Sequence, residues 1–253
     1  VASRIRTARP GAHRVSLLLA TAVLVPGLAA CGGDDDTTST AASTTEATTT
    51  ATSEAAPPAT STEEAAAPAC EEVKAPEPRS DEPSVPKPRP ARLKGTWDVT
   101  VATNCGSFTV RLDTKRQPKT AASFKSLVAG KFYDGLTFHR IAQGFVIQGG
   151  DPLGTGIGGP GYSVRETPPS DAEYTRGVVA MAKAGDEPAG TSGSQFFVVT
   201  GDDTGLTPDY AIVGKVTKGM DTVDAISAVG SSGPPNDEPL APVVIERATA
   251  EKG

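Results

Sequence analysis

Arg140 and Gln148 stand among phenylalanines and branched side chains in the stretch FHRIAQGFVIQGGD, Phe138 to Asp151. A guanidinium is a rigid, permanently charged hydrogen-bond donor, and a side-chain amide next to it can orient a peptide backbone. Phe145 and Val146 add apolar surface. The stretch holds neither a nucleophile nor a set of metal ligands, so it suits binding and polarising an amide and not cutting one. No metal and no cofactor is expected.

Three other features point to different chemistry and are weaker. His139 adjoins Arg140, but it is the single histidine after residue 30, and it is expected to be a buried, neutral, structural residue. Ser194 lies in GSQFF and not in the GxSxG of a nucleophile elbow. Gly154 to Gly159 fits the GxGxxG of dinucleotide sites, yet Pro160-Gly161 follows where a phosphate-binding helix should start. An NAD-linked enzyme would rest on that match alone, and the run reads instead as a glycine-rich loop beside a cleft.

The elements around these residues can be read from apolar periodicity. Phe138 to Ile141 and Phe145 to Gln148 read as short strands punctuated by Gly144 and Gly149-Gly150. Strand alternation turns Arg140 away from His139 and Ile141, and Val146 and Gln148 away from Phe145 and Ile147. Trp97, Val99 and Val101, the turn Asn104-Cys105-Gly106, and Phe108, Val110 and Leu112 predict an antiparallel hairpin. Pro118 suits the first turn of a helix that ends at Gly130. Strands are predicted at Gly177 to Ala182, Gln195 to Thr200, Ala211 to Val216 and Val243 to Ile245, with a second helix near Met220 to Ala228. Many strands with two helices suit a closed barrel capped at its ends.

FHRIAQGFVIQGGD, then GTGIGGPGY, MAKAG and GSQFFV, in that order, resemble the cyclophilin-type peptidyl-prolyl cis-trans isomerases from about Trp97 to Ile245. The resemblance implies a mainly β domain, a closed eight-stranded antiparallel barrel with a helix over each opening. It implies isomerisation of X-Pro bonds, whose barrier of ~18 to 20 kcal/mol comes from amide resonance. A donor to the nitrogen lone pair regained in the twisted state lowers that barrier without covalent chemistry. The catalytic set would be Arg140, Phe145 and Gln148, with Arg140 as donor. Phe145, Val146, Phe197 and Leu206 would hold the proline ring, and Gln195 would line the groove. The backbone of Ala182, Lys183 and Ala184 would pair with substrate like an added strand.

Where many relatives carry tryptophan and histidine, this chain has Gly205 and Tyr210. Tyr210 keeps an aromatic wall. Gly205 cannot supply the indole that holds the inhibitor cyclosporin in the family, so weak cyclosporin binding is expected. Lys183 stands where asparagine is common, and the loop GDEPAGTSG is longer than usual.

All seven Phe, four Tyr and the single Trp lie at position 97 or beyond, so the core must form there. Three regions follow: residues 1–30, 31–93 and the isomerase domain 94–250. Residues 1–30 carry four arginines and an apolar run ending in Leu-Ala-Ala before Cys31, which resembles a lipoprotein signal with lipidation at Cys31. A cleaved secretory signal is the other possibility. Residues 31–93 are rich in Thr, Ala, Ser, Glu and Pro, with little to bury, and are expected to form a disordered linker. The net charge of −6 becomes −10 without the four arginines, which argues against nucleic acid as a partner. Cys70 and Cys105 would be either a disulfide or two separate thiols. The expected protein is a monomeric isomerase anchored by lipid to the outer face of the cell membrane, acting on proline-containing peptides and folding exported proteins. The alternative is a cyclophilin-fold binding module or chaperone in which catalysis is incidental.

Overall fold

The computed structural model describes residues 69–79, 85–88 and 92–253. The export-like stretch 1–30 and Cys31 lie outside the described residues. Among the described residues no helix is long and apolar enough to cross a membrane.

The hairpin forms as its alternation predicts, from Trp97–Thr103 (β1) and Gly106–Leu112 (β2). Helix α1 spans Pro118–Ala129 with proline in its first turn. Its first free N–H groups are capped from afar, because Glu166 Oε2 accepts from Lys119 N at 2.9 Å and from Thr120 N at 2.8 Å. Next come Phe138–Ala142 (β3), Val146–Gly149 (β4), Val164–Arg165 (β5), Val178–Met181 (β6), Thr191–Ser192 (β7), Phe196–Val199 (β8), Ile212–Lys218 (β9), helix Met220–Ala228 (α2) and Ile245–Lys252 (β10). Strands β5 and β7 pair with each other, apart from the main sheet.

The closed barrel is not what forms. The main sheet has eight antiparallel strands in the order β10-β1-β2-β9-β6-β8-β4-β3, open between its two ends and capped by the two helices. It curls into a half-barrel, helped by register shifts in the β1–β10, β2–β9, β3–β4 and β6–β9 pairs, since each extra residue bends its strand. Among the described residues the two ends are joined by one isolated bridge, Thr137 to Val244, and by backbone bonds such as Phe138 N to Val243 O at 2.9 Å. The chain before β10 carries Pro239 and Pro242, which have no N–H to continue a ladder. The strand predicted at Val243 to Ile245 accordingly starts at Ile245 and runs on to Lys252.

Alternation in the central strands sorts two apolar layers. Ile147, Val179, Met181, Phe196 and Val198 point into the main core. Phe196 packs edge-on against Phe124, Tyr133 and Phe138, with centroids 5.5 to 5.7 Å apart. Burying each such side chain is worth ~1.5–3 kcal/mol. Val146, Val178, Ala180, Phe197 and Val199 point the other way and form a second cluster, which is the floor of the candidate site.

Part of the stretch predicted to be a free linker lies on the domain. Cys70 is disulfide-bonded to Cys105 in the β1–β2 turn. Asn104 Nδ2 donates to Glu71 O at 2.7 Å and to Pro242 O at 3.2 Å, so this segment meets the chain beside the open edge. Arg79 stacks on Phe132, 5.1 Å from its centroid, and donates to the Phe132 carbonyl at 2.7 Å. Composition argued for disorder because the segment has no core of its own, but it uses the surface of the domain instead.

Candidate active site

Strand β3 does not alternate strictly. Phe138 pairs with Gly149 and Arg140 with Gln148, leaving His139 as an extra, bulged residue. Phe138 and Ile141 are therefore both in the core, and Arg140 and His139 line the same large cavity, contrary to the opposed faces that alternation predicts. The ring nitrogens of His139 are buried and have no hydrogen-bond partner among the described residues. Burial, reinforced by Arg140, holds its pKa below the ordinary 6.5, with Asp151 acting in the opposite direction. Phe145 precedes β4 and lies in the turn, so it escapes the alternation that would have faced it away from Val146.

Arg140, Phe145, Val146, Gln148, Ala182, Lys183, Phe197, Leu206 and Tyr210 come together around a hollow of about 130 Å³. Its floor is the outer apolar cluster, and its two cations are Arg140 and Lys183. The Tyr210 ring packs edge-on to Phe197, centroids 5.4 Å apart. The hydroxyl of Tyr174 donates to Tyr210 O at 2.6 Å and accepts from Tyr210 N at 3.0 Å. Burial pushes the Tyr174 pKa up to about 12, so the hydroxyl stays protonated and the clamp on Tyr210 holds.

Gln195 and Ala184 border an adjoining hollow of about 500 Å³, shared with Gln148, Ala182, Lys183 and the loop 156–163. Gly205 borders neither of the two. The backbone of 182–184 is only partly open for an added strand. Ala182 N donates to Gln195 O at 2.9 Å, and Ala184 N donates to Glu187 Oε2 at 2.7 Å. Lys183 Nζ reaches the Glu187 carbonyl and lies over the Tyr210 ring.

The glycine-rich loop is not a phosphate cradle. The buried carboxylate of Asp151 accepts N–H bonds from Leu153, Thr155 and Gly156, taking the donors that a phosphate would use. A Cβ at Gly158 would collide with Asp151, so the loop closes tightly over its own carboxylate.

Two site residues have no local sequence signal. Asp237 Oδ2 accepts from Arg140 Nη2 at 2.8 Å across 97 residues, and Glu187 occupies the Ala184 N–H. Asp237 stands in PPNDEP, which by itself reads only as a turn.

A family profile described as "Cyclophilin type peptidyl-prolyl cis-trans isomerase/CLD" matches residues 98–250. The chain is 41% identical over 168 residues to the probable peptidyl-prolyl cis-trans isomerase A of Mycobacterium leprae, covering 59% of this chain and 90% of that protein. It is 39% identical over 170 residues to peptidyl-prolyl cis-trans isomerase B of Streptomyces anulatus, covering 60% and 95%. Among solved structures it resembles a cyclophilin-type isomerase of Cryptosporidium parvum at 30% identity and a TM-score of 0.58, covering 62% of this chain and 99% of that one. The same Cryptosporidium protein solved in the presence of the dipeptide Ala-Pro gives 31% and 0.57.

Proposed function

This chain belongs to the cyclophilin-type peptidyl-prolyl cis-trans isomerases and catalyses X-Pro isomerisation, and we propose that Arg140 is the donor that stabilises the twisted amide. One observation carries the proposal: Arg140 is the one arginine on a small hollow with Phe145, Val146, Phe197 and Leu206. A proline ring seated on those side chains would bring its nitrogen to the guanidinium. As the amide twists, the nitrogen regains its lone pair and accepts the N–H bond, an interaction absent from the planar ground state and therefore catalytic. Gln148 holds the substrate backbone, and the free edge of Lys183 pairs with it. The chemistry needs no proton transfer.

The experiment is Arg140→Ala assayed on X-Pro peptides without a coupled protease. Catalytic efficiency should fall more than tenfold, at least ~1.4 kcal/mol, with the fold intact by circular dichroism. Near-normal turnover in the folded variant would refute the assignment.

We further propose that the enzyme is exported, lipidated at Cys31 and acts on folding proteins outside the cytoplasm. The lipobox-like end of the apolar run supports this, as does the Cys70–Cys105 disulfide, a bond that persists in oxidising compartments. Mass spectrometry of the mature N-terminus tests it. A Cys31→Ala form that still partitions with membranes would contradict the lipid anchor.

A further inference from the structure

We propose that Asp237 is a positioning residue for the isomerisation, holding Arg140 in the orientation its donor role requires; the inference depends on that role. Arg140 Nη2 donates to Asp237 Oδ2 at 2.8 Å, and the carboxyl side chain is 8% exposed against 31% for the arginine. No other carboxylate among the described residues forms an ion pair with Arg140. A charged hydrogen bond to a carboxylate withdrawn from water fixes one edge of the planar guanidinium and leaves its other N–H groups for the hollow.

Arg140 stands between two spaces: the apolar hollow with Phe145 and Phe197, and the larger cavity of about 640 Å³ bounded by His139, Pro235, Asn236 and Glu238. Without the carboxylate its long side chain is free to swing toward either. Asp237 also grips the backbone of the same strand. Its carbonyl accepts from Ile141 N at 2.8 Å, and its own N–H donates to Gly233 O at 3.0 Å. Asp237 is held at φ +52, a left-handed conformation uncommon outside glycine but tolerated by Asp and Asn. Such a conformation persists only where its surroundings over-determine it. Here the surroundings are the site arginine and the strand that carries it.

The effect should fall on kcat and not KM, because the bond from Arg140 to the prolyl nitrogen exists only in the twisted state. Asp237→Asn is the informative variant: it keeps the shape and tolerates the backbone conformation but removes the charge. Should it fail to fold, Asp237→Gly removes the carboxylate at no backbone cost. The experiment is a double-mutant cycle with Arg140→Ala, each protein checked for folding by circular dichroism. The Asp237 variant should lower kcat about fivefold to tenfold with KM within twofold of wild type, and should change the Arg140→Ala enzyme by less than twofold. An equal loss in both backgrounds, or no loss in the wild-type background, overturns the proposal while leaving Arg140 as the donor. A fully active Arg140→Ala enzyme overturns both.

Discussion

Gln148 Nε2 donates to Gln195 Oε1 at 3.0 Å, and Gln195 Nε2 passes the restraint on to the carbonyl of Gly158 at 2.9 Å. The two amides thus tie β4, the residue before β8 and the glycine-rich loop into one wall of the adjoining hollow, with Gln148 bordering both hollows. The side chain proposed to position substrate is itself held in a single orientation.

Gln195→Leu should therefore weaken substrate binding more than chemistry. It fills similar space but leaves the Gln148 amide and the Gly158 carbonyl unpaired. Expected is a threefold to tenfold rise in KM, ~0.7 to 1.4 kcal/mol, with kcat within threefold. Steady-state kinetics on an X-Pro peptide decides it, and a pure kcat loss would place Gln195 in the chemistry.

His139 predicts two different pH profiles. Arginine does not titrate near neutrality, so turnover should be nearly flat from about pH 6 to 9, and a steep rise would bring the imidazole into the reaction. Stability should not be flat. The folded pKa lies below the ordinary 6.5 because of burial and Arg140. As pH falls below about 6.5 the unfolded chain takes up the proton first, so stability present above that value is lost toward the folded pKa. Urea unfolding at pH 7.5 and pH 5 should show a smaller drop in His139→Leu than in wild type. Equal drops would mean that His139 is not held neutral.

The Cys70–Cys105 disulfide closes a loop with a sequence separation of 35. Replacing both cysteines with serine should cost ~2–4 kcal/mol by freeing the unfolded chain. Amide hydrogen exchange should also speed up at Glu71, whose N–H donates to Asn104 O. Unchanged urea midpoints with and without reductant would show that the bond does not staple this segment in solution.

Gly205 is exposed, sits at φ +61 and has nothing within 4 Å of where a Cβ would stand. Gly205→Trp therefore has room, at a backbone cost of ~1–2 kcal/mol. An added aromatic contact with its N–H bond is worth ~2–4 kcal/mol, so cyclosporin should bind roughly thirtyfold to a thousandfold more tightly while peptide turnover changes little. Calorimetric titration of the two proteins checks this. Equal affinities would show that position 205 is not on the inhibitor's rim.

The amino-acid sequence by itself determined the hairpin, both helices and the runs that become β4, β6, β8 and β9. Each of these depends on side chains within one turn or one strand of each other, as when Pro118 opens α1 or Phe197 alternates with Phe196. Alternation also put Val146 and Gln148 on one face of β4, beside Arg140 on the strand paired with it, whereas Phe145 joins them only because the turn holds it outside β4. Tertiary structure alone decided the bulge at His139, since one extra residue appears only when β3 is laid against β4. It alone left the sheet open, where Pro239 and Pro242 in the chain before β10 have no N–H to extend a ladder along β3. It alone brought Asp237 to Arg140 and Arg79 onto Phe132. Those pairs join residues far apart in the chain, and neither a loop aspartate nor a lone arginine in a proline-rich run carries a periodicity that names its partner.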